Sequence, residues 1–132
     1  MSTARSRADI VTTYFERLTA SDIAGIIALF AEDGTVDSPV LGTMDAAPFF
    51  ETLGDASEQN VLTVHRIMSS DDNRFFAAHF TYDWTLSGGG DVTFDGVDLF
   101  EFNDDDQLAS MKIFYDTHPT RSEVGNKYER PS

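Results

Sequence analysis

The residue best placed to do chemistry is Asp98. It stands in the run Phe94-Asp95-Gly96-Val97-Asp98-Leu99-Phe100-Glu101-Phe102, and in an extended strand alternate side chains share a face. Phe94, Gly96, Asp98, Phe100 and Phe102 therefore point one way, and a carboxyl group interrupts an otherwise apolar surface. Burying a carboxylate without a cation is costly, so its pKa rises and the neutral acid becomes a hydrogen-bond donor. Two uses follow. In a ligand pocket the donor is aimed at an oxygen of the bound molecule. In a packed core it is bonded to a buried hydroxyl such as that of Tyr14, or paired with an arginine, and serves fold specificity. Gly96, two residues earlier, either leaves space for a ligand or marks a bulge that bends the sheet.

Other chemistries find little support. The 132 residues include no cysteine, which removes disulfides, thiolate zinc sites, iron–sulfur clusters and cysteine nucleophiles. His65, His79 and His118 lack a metal-ligand spacing such as His-Glu-x-x-His, so no metal site is expected. Asp104 to Asp106 lacks the glycine and distal glutamate of an EF-hand loop. Gly88 to Gly90 joins strands instead of opening a helix, so it is no nucleotide cradle, and no cofactor is expected. With 23 Asp and Glu against 9 Lys and Arg, the net charge is -14, and the cations are scattered. Such a surface repels polyanions, which argues against nucleic acid as a partner. Arg5 and Arg7 precede no apolar run, and no apolar stretch reaches 18 residues. A soluble, cytoplasmic protein with no membrane partner is expected, folded as one domain over 1–132.

The elements that must position Asp98 follow from periodicity. Ile10, Val11, Tyr14, Phe15 and Leu18 share one helical face. Ser21-Asp22 reads as the cap of a second helix carrying Ile23, Ile26, Ile27 and Phe30 and ending before Gly34. Thr35 to Val40 is predicted extended, because Pro39 disfavours helix at Ser38. Asp45 caps a third helix with Phe49, Phe50 and Leu53, ending at Gly54. From there the period becomes two, in runs of about 61–69, 74–86, 92–102 and 107–116 joined by short polar turns. These predict antiparallel strands. In the second run Phe76, Ala78, Phe80, Tyr82, Trp84 and Leu86 form the buried face, with Ala77, His79, Thr81, Asp83 and Thr85 on the other. A five-residue loop at 87–91 sets Phe80 opposite Asp98, Tyr82 opposite Gly96 and Trp84 opposite Phe94. A four-residue loop at 103–106 sets Met111 opposite Asp98, Ile113 opposite Gly96 and Tyr115 opposite Phe94. Helices followed by strands argue for α+β.

Tyr14 on the first helix, Gly34-Thr35-Val36-Asp37-Ser38-Pro39-Val40 after the second, and Val97-Asp98-Leu99-Phe100-Glu101-Phe102-Asn103 running on to Ser110-Met111 together resemble the ketosteroid isomerases. More broadly, residues 7 to 118 resemble the nuclear transport factor two-like superfamily, with its SnoaL-like polyketide cyclases and limonene epoxide hydrolases. The resemblance implies a cone-shaped α+β fold, in which about three N-terminal helices pack on a strongly curved antiparallel sheet around an apolar pocket, commonly as a dimer. It also implies roles. Tyr14 and Asp98 match the two neutral donors of the isomerase oxyanion hole, which stabilise an oxygen that becomes negative as a proton leaves the adjacent carbon. The isomerase general base falls on Ser38, with Asp37 one residue earlier and, in a regular strand, on the opposite face. The epoxide hydrolases carry an arginine where this chain has Gly96. The cyclases use an acid near the end of the last strand, a place comparable to Asp116.

The expectation is therefore a pocket for a small apolar molecule, with isomerase-type or cyclase-type enolate chemistry on a cyclic carbonyl compound as one reading and ligand binding without catalysis as the other. Tyr14, Asp98, Asp37 and Asp116 are the catalytic candidates. Ser38, Phe80, Tyr82, Trp84, Gly96, Phe100, Met111, Ile113 and Tyr115 join Tyr14 and Asp98 as candidate ligand contacts. A homodimer through the outer face of the sheet, using Val97 and Leu99, is the expected assembly.

Overall fold

The computed structural model describes residues 3–39 and 41–115, with side chains from Arg7 onward. Asp116, His118 and Arg121 lie outside the described residues. Helix α1 (Thr3–Thr19) buries Val11, Tyr14, Phe15 and Leu18, the stripe that its spacing predicts. Ser21 then adopts a positive φ of 59°, and the Asp22 carboxylate accepts a hydrogen bond from the Gly25 N–H at 3.0 Å, capping α2 (Ile23–Ile27). This helix stops short of the expected Phe30. The reason is tertiary: the Leu29 carbonyl accepts the Leu108 N–H at 3.0 Å, and Phe30 pairs with Leu108, so strand pairing takes over from the helical period.

Strand β1 (Phe30–Ser38) thus begins earlier than expected and turns back through Gly42, at φ 71°, into β2 (Gly42–Asp45). Asp45 occupies the cap position of α3 (Ala46–Ala56), though its side chain makes no capping bond. The helix runs on past Gly54, where a Cβ would lie 2.9 Å from Ile23 Cγ1; this glycine serves the packing of α2 on α3 and does not end the helix. Then come β3 (Ser57–Ser69), β4 (Phe75–Leu86), β5 (Asp91–Phe102) and β6 (Leu108–Tyr115), in the sheet order β2-β1-β6-β5-β4-β3. All neighbours are antiparallel except β1 and β6, which are parallel, so the sheet is mixed, not antiparallel throughout as expected. It curves without closing, helped by bulges in β3 and at the start of β6, because an extra residue in one strand bends the ladder. The three helices cover its inner face, in the cone-shaped α+β arrangement.

The two central hairpins keep the expected faces in a different register. Gly88, Gly89 and Gly90 all take positive φ, and the Leu86 N–H reaches the Gly90 carbonyl at 2.9 Å, tightening the loop. Phe80 therefore faces Gly96, and Ala78 faces Asp98, two residues from the expected pairing. Across the other hairpin, Asn103 Oδ1 accepts the N–H groups of Asp105 and Gln107, and Asp98 faces Ile113, not Met111. A shift of two preserves sidedness, so Asp98 stays on the inner face. Phe100, Phe102, Leu108 and Met111 fill the core beneath α1. Arg7 ties α1 to both far loops: its guanidinium donates to the carbonyls of Asn73 and Asn103, each at 2.9 Å, pairs with Asp106 at 2.7 Å, and lies 5.3 Å over the Phe102 ring.

Candidate functional site

Between the helices and the inner face of the sheet lies a cavity of about 330 Å³, at the small end of the range for small-molecule sites. Leu18 and Tyr14 of α1 form one wall, and Phe49, Thr52, Leu53 and Ala56 of α3 another. The sheet supplies Ser38, Leu62, Phe80, Tyr82, Trp84, Phe94, Asp98, Ile113 and Tyr115, with Leu41 at the turn after β1. Aromatic rings dominate: Phe94 stacks on Tyr115 at 4.6 Å and meets Tyr82 at 5.3 Å.

Asp98 is 2% exposed, and its Oδ1 has no hydrogen-bond partner among the described residues. Burial pushes its carboxyl well above the usual carboxylate range, because the charged form loses its hydration and gains no cation. The ion pairs of Arg7 and Arg74 go to Asp106 and Glu101 and not to Asp98. Tyr14, also 2% exposed, is fixed by edge-on contacts with the rings of Phe15, Phe50 and Phe100. Burial raises its phenol pKa, and the charges that Asp98 and Tyr82 would carry raise it further. Both groups are thus held as neutral donors in a dry wall. Tyr82 is neutral by burial too, but its hydroxyl is committed: it donates to Asn60 Oδ1, whose Nδ2 donates to Ser21 Oγ at 3.2 Å. Trp84 Nε1 donates to Ser57 Oγ at 2.8 Å, and that hydroxyl donates to the Leu53 carbonyl at 2.6 Å, so β4 is tied to the end of α3.

Of the sequence-derived candidates, Tyr14, Ser38, Phe80, Tyr82, Trp84, Asp98, Ile113 and Tyr115 come together around the cavity. Phe100 and Met111 do not; both are buried in the core behind it. Nor does Gly96 open space for a ligand. A Cβ there would lie 2.8 Å from Phe80 Cζ and 3.0 Å from the Phe114 carbonyl, so the gap is filled by the Phe80 ring. Asp37 faces away from the cavity: its side chain is 43% exposed and sits 3.9 Å from Lys112 Nζ, while Ser38 points inward and its Oγ accepts the Leu41 N–H at 3.1 Å. Alternation along β1 therefore removes Asp37 as a base acting in the cavity. Asp98 is the only carboxyl among the described lining residues. Asn60 was missed, although period two back from Leu62 places it on the inner face.

Among the described residues, no helix is long and apolar enough to cross a membrane. The chain matches no curated protein sequence. It is similar in structure to SalBIII, an epoxide hydrolase/cyclase-like enzyme in pyran ring formation in the polyether salinomycin, with a TM-score of 0.76 at 18% identity over 86% of this chain and 92% of that one. AclR from Streptomyces galilaeus gives a TM-score of 0.72 at 19% identity, over 97% and 86% of the two chains. A protein of cystatin-like fold from Methylobium petroleophilum gives 0.73 at 15% identity, over 97% and 93%. The SnoaL-like domain model matches residues 11–111, a span that holds Tyr14, Asp98 and both helical walls of the cavity, and the chain belongs to the SnoaL-like domain family.

Proposed function

We propose that the cavity binds a small apolar cyclic carbonyl compound and that Asp98, in its neutral form, donates a hydrogen bond to the ligand's oxygen, with Tyr14 as the second donor. The observation that carries this reading is the Asp98 carboxyl, buried among aromatic rings with Oδ1 unpartnered. As negative charge develops on the oxygen, both bonds strengthen, and because the donors are already oriented and dehydrated little reorganisation is needed. Donors of this kind stabilise an enolate in an isomerisation or cyclisation. With Ser38 inward and Asp37 outward, the described lining offers no second carboxylate to take a proton from carbon. That favours ring closure, in which a hydroxyl or enol of the ligand adds to its own carbonyl and the proton it loses balances the one the carbonyl oxygen gains. The likeness to SalBIII supports the same class of chemistry. A described lining without a second carboxylate equally suits binding without turnover, which would show as saturable binding with the ligand recovered unchanged. For assembly, we propose a homodimer through the outer face, where Met68, Phe75 and Phe114 are exposed beside Val97 and Leu99; sedimentation equilibrium showing a strict monomer at high micromolar concentration would refute it.

The test of the site uses carboxyl-carbon NMR on labelled protein, with Asp98 assigned by the signal lost in Asp98→Asn. Its resonance is expected to titrate well above the ordinary ~3.9. Phenols, as enolate mimics, are expected to change the fluorescence of Trp84, the single tryptophan, and to bind at least about tenfold more weakly to Asp98→Leu, which removes one donor to a charged oxygen. An ordinary pKa together with phenol binding indifferent to the substitution would overturn the assignment.

A further inference from the structure

The outer face of the sheet gathers a second group of reactive side chains, on the opposite side from the cavity. In β3, Val64 pairs with Phe80 and Arg66 with His79, which leaves His65 as the extra residue of a bulge. The bulge sets its ring beside that of His79 on β4, with centroids 4.8 Å apart. Asp95 on β5 completes the group: His79 Nε2 lies 3.7 Å from Asp95 Oδ2, and the Thr81 hydroxyl donates to Asp95 Oδ1 at 2.7 Å. Having given its one hydrogen to that carboxylate, the Thr81 hydroxyl accepts from His65 Nε2, also at 2.7 Å. One ligand atom from each of His65, His79 and Asp95 lies within 4.8 Å of the others.

We propose that His65, His79 and Asp95 form a binding site for a divalent transition-metal ion of the zinc class, clamping three adjacent strands from outside. Two imidazoles and a carboxylate are the donor set that suits zinc and its neighbours. Ligand bonds of about 2.0–2.1 Å place tetrahedral donors roughly 3.3 Å apart, so the ligand atoms, now within 4.8 Å of one another, must draw together by at most about 1.5 Å. In the single chain all three groups reach solvent, which gives the ion an entry path before any dimer forms. The net charge of -14 raises the local cation concentration. Three protein ligands leave a coordination position for water or for a donor from another molecule. Motif spacing could not announce this site, because its residues come from three strands and are aligned by a bulge and by register.

The test is titration of the whole chain with zinc ion alone, against a chromophoric chelator at pH 7.5, with cobalt absorption as a check on geometry. One equivalent is expected to bind. His65→Ala and His79→Ala each weaken it by at least about tenfold, the scale on which perturbed metal sites lose affinity. Asp105→Asn leaves it unchanged. In the unsubstituted protein, zinc shifts the ring signals of His65 and His79 in nitrogen-correlated NMR, a readout that needs no variant to fold. Absence of saturation at one equivalent, equal affinity in the His65 and His79 variants, or ring signals that do not move would overturn the proposal.

Discussion

Asp98→Asn should remove a pH dependence of stability, and the sign follows from burial. Asparagine keeps the shape of the side chain and a donor but cannot ionise. In the unfolded chain Asp98 ionises near ~3.9; in the folded protein burial holds it protonated well above that. Between the two values the folded state carries one proton more than the unfolded state, so stability falls with rising pH at up to about 1.4 kcal/mol per pH unit. The stability of the protonated form is fully present below the unfolded pKa and is lost as pH rises toward the folded pKa, above which no further loss accrues. Relative to Asp98→Asn, the unsubstituted protein should therefore weaken by about 1.4 kcal/mol for each unit above roughly pH 4, until Asp98 ionises in the folded state. Urea unfolding followed by Trp84 fluorescence at half-unit steps from pH 4 to 8 measures this, with equal m-values confirming that both chains expose the same surface. Parallel curves would refute the reasoning, since Asp98 would then ionise alike in both states. A difference that grew in the opposite sense would show the carboxylate stabilised by a charge.

Gly96→Ala forces the Phe80 ring or the β6 backbone to move, because a Cβ would stand 2.8 Å from Phe80 Cζ and 3.0 Å from the Phe114 carbonyl; a loss of about 1–3 kcal/mol in urea unfolding is expected, with phenol affinity altered because Phe80 lines the cavity. Tyr82→Phe leaves buried Asn60 without its donor and should cost about 1–3 kcal/mol; an unchanged unfolding midpoint would show that the network contributes nothing. Arg7→Ala removes two bonds to loop carbonyls and the pair with Asp106, for about 2–3 kcal/mol at neutral pH, and Arg7→Lys should recover only part of it, since an ammonium cannot reproduce the fork.

The helices, the order of the elements and the face of Asp98 could be read from local pattern, because each depends on a period that sequence displays directly. Ile10 to Leu18 could hardly bury their stripe otherwise, and Phe94, Phe100 and Phe102 fix the face of Asp98 whatever the register. Register itself needs loop conformation, and a two-residue difference at Gly88 to Gly90 changed the opposite neighbour of Asp98 from Phe80 to Ala78. The parallel pairing of β1 with β6 joins residues about 75 positions apart, and nothing local encodes it. Nothing in the sequence around Arg7 announces that it is buried against Phe102, because the carbonyls it binds come from two distant turns. Gly96 offered two readings on sequence, and neither holds: β4 and β5 pair through it without a register shift, and the Phe80 ring fills the space beside it.

Two polar residues on the same inner face support the proposal that Asp98 serves a ligand. Asn60 is as deeply buried as Asp98, and its amide is satisfied on both sides, accepting from Tyr82 and donating to Ser21. That is how a buried polar group kept for structure resolves its desolvation. Asp98 faces Ala78 and Ile113 across its two ladders, neighbours that offer its side chain no polar atom, and Oδ1 finds no partner elsewhere among the described residues. An isosteric apolar residue would avoid the cost of roughly 1–3 kcal/mol that an unsatisfied buried group carries. On the proposed reading, the carboxyl is completed by a molecule that enters the cavity and brings an acceptor for its proton.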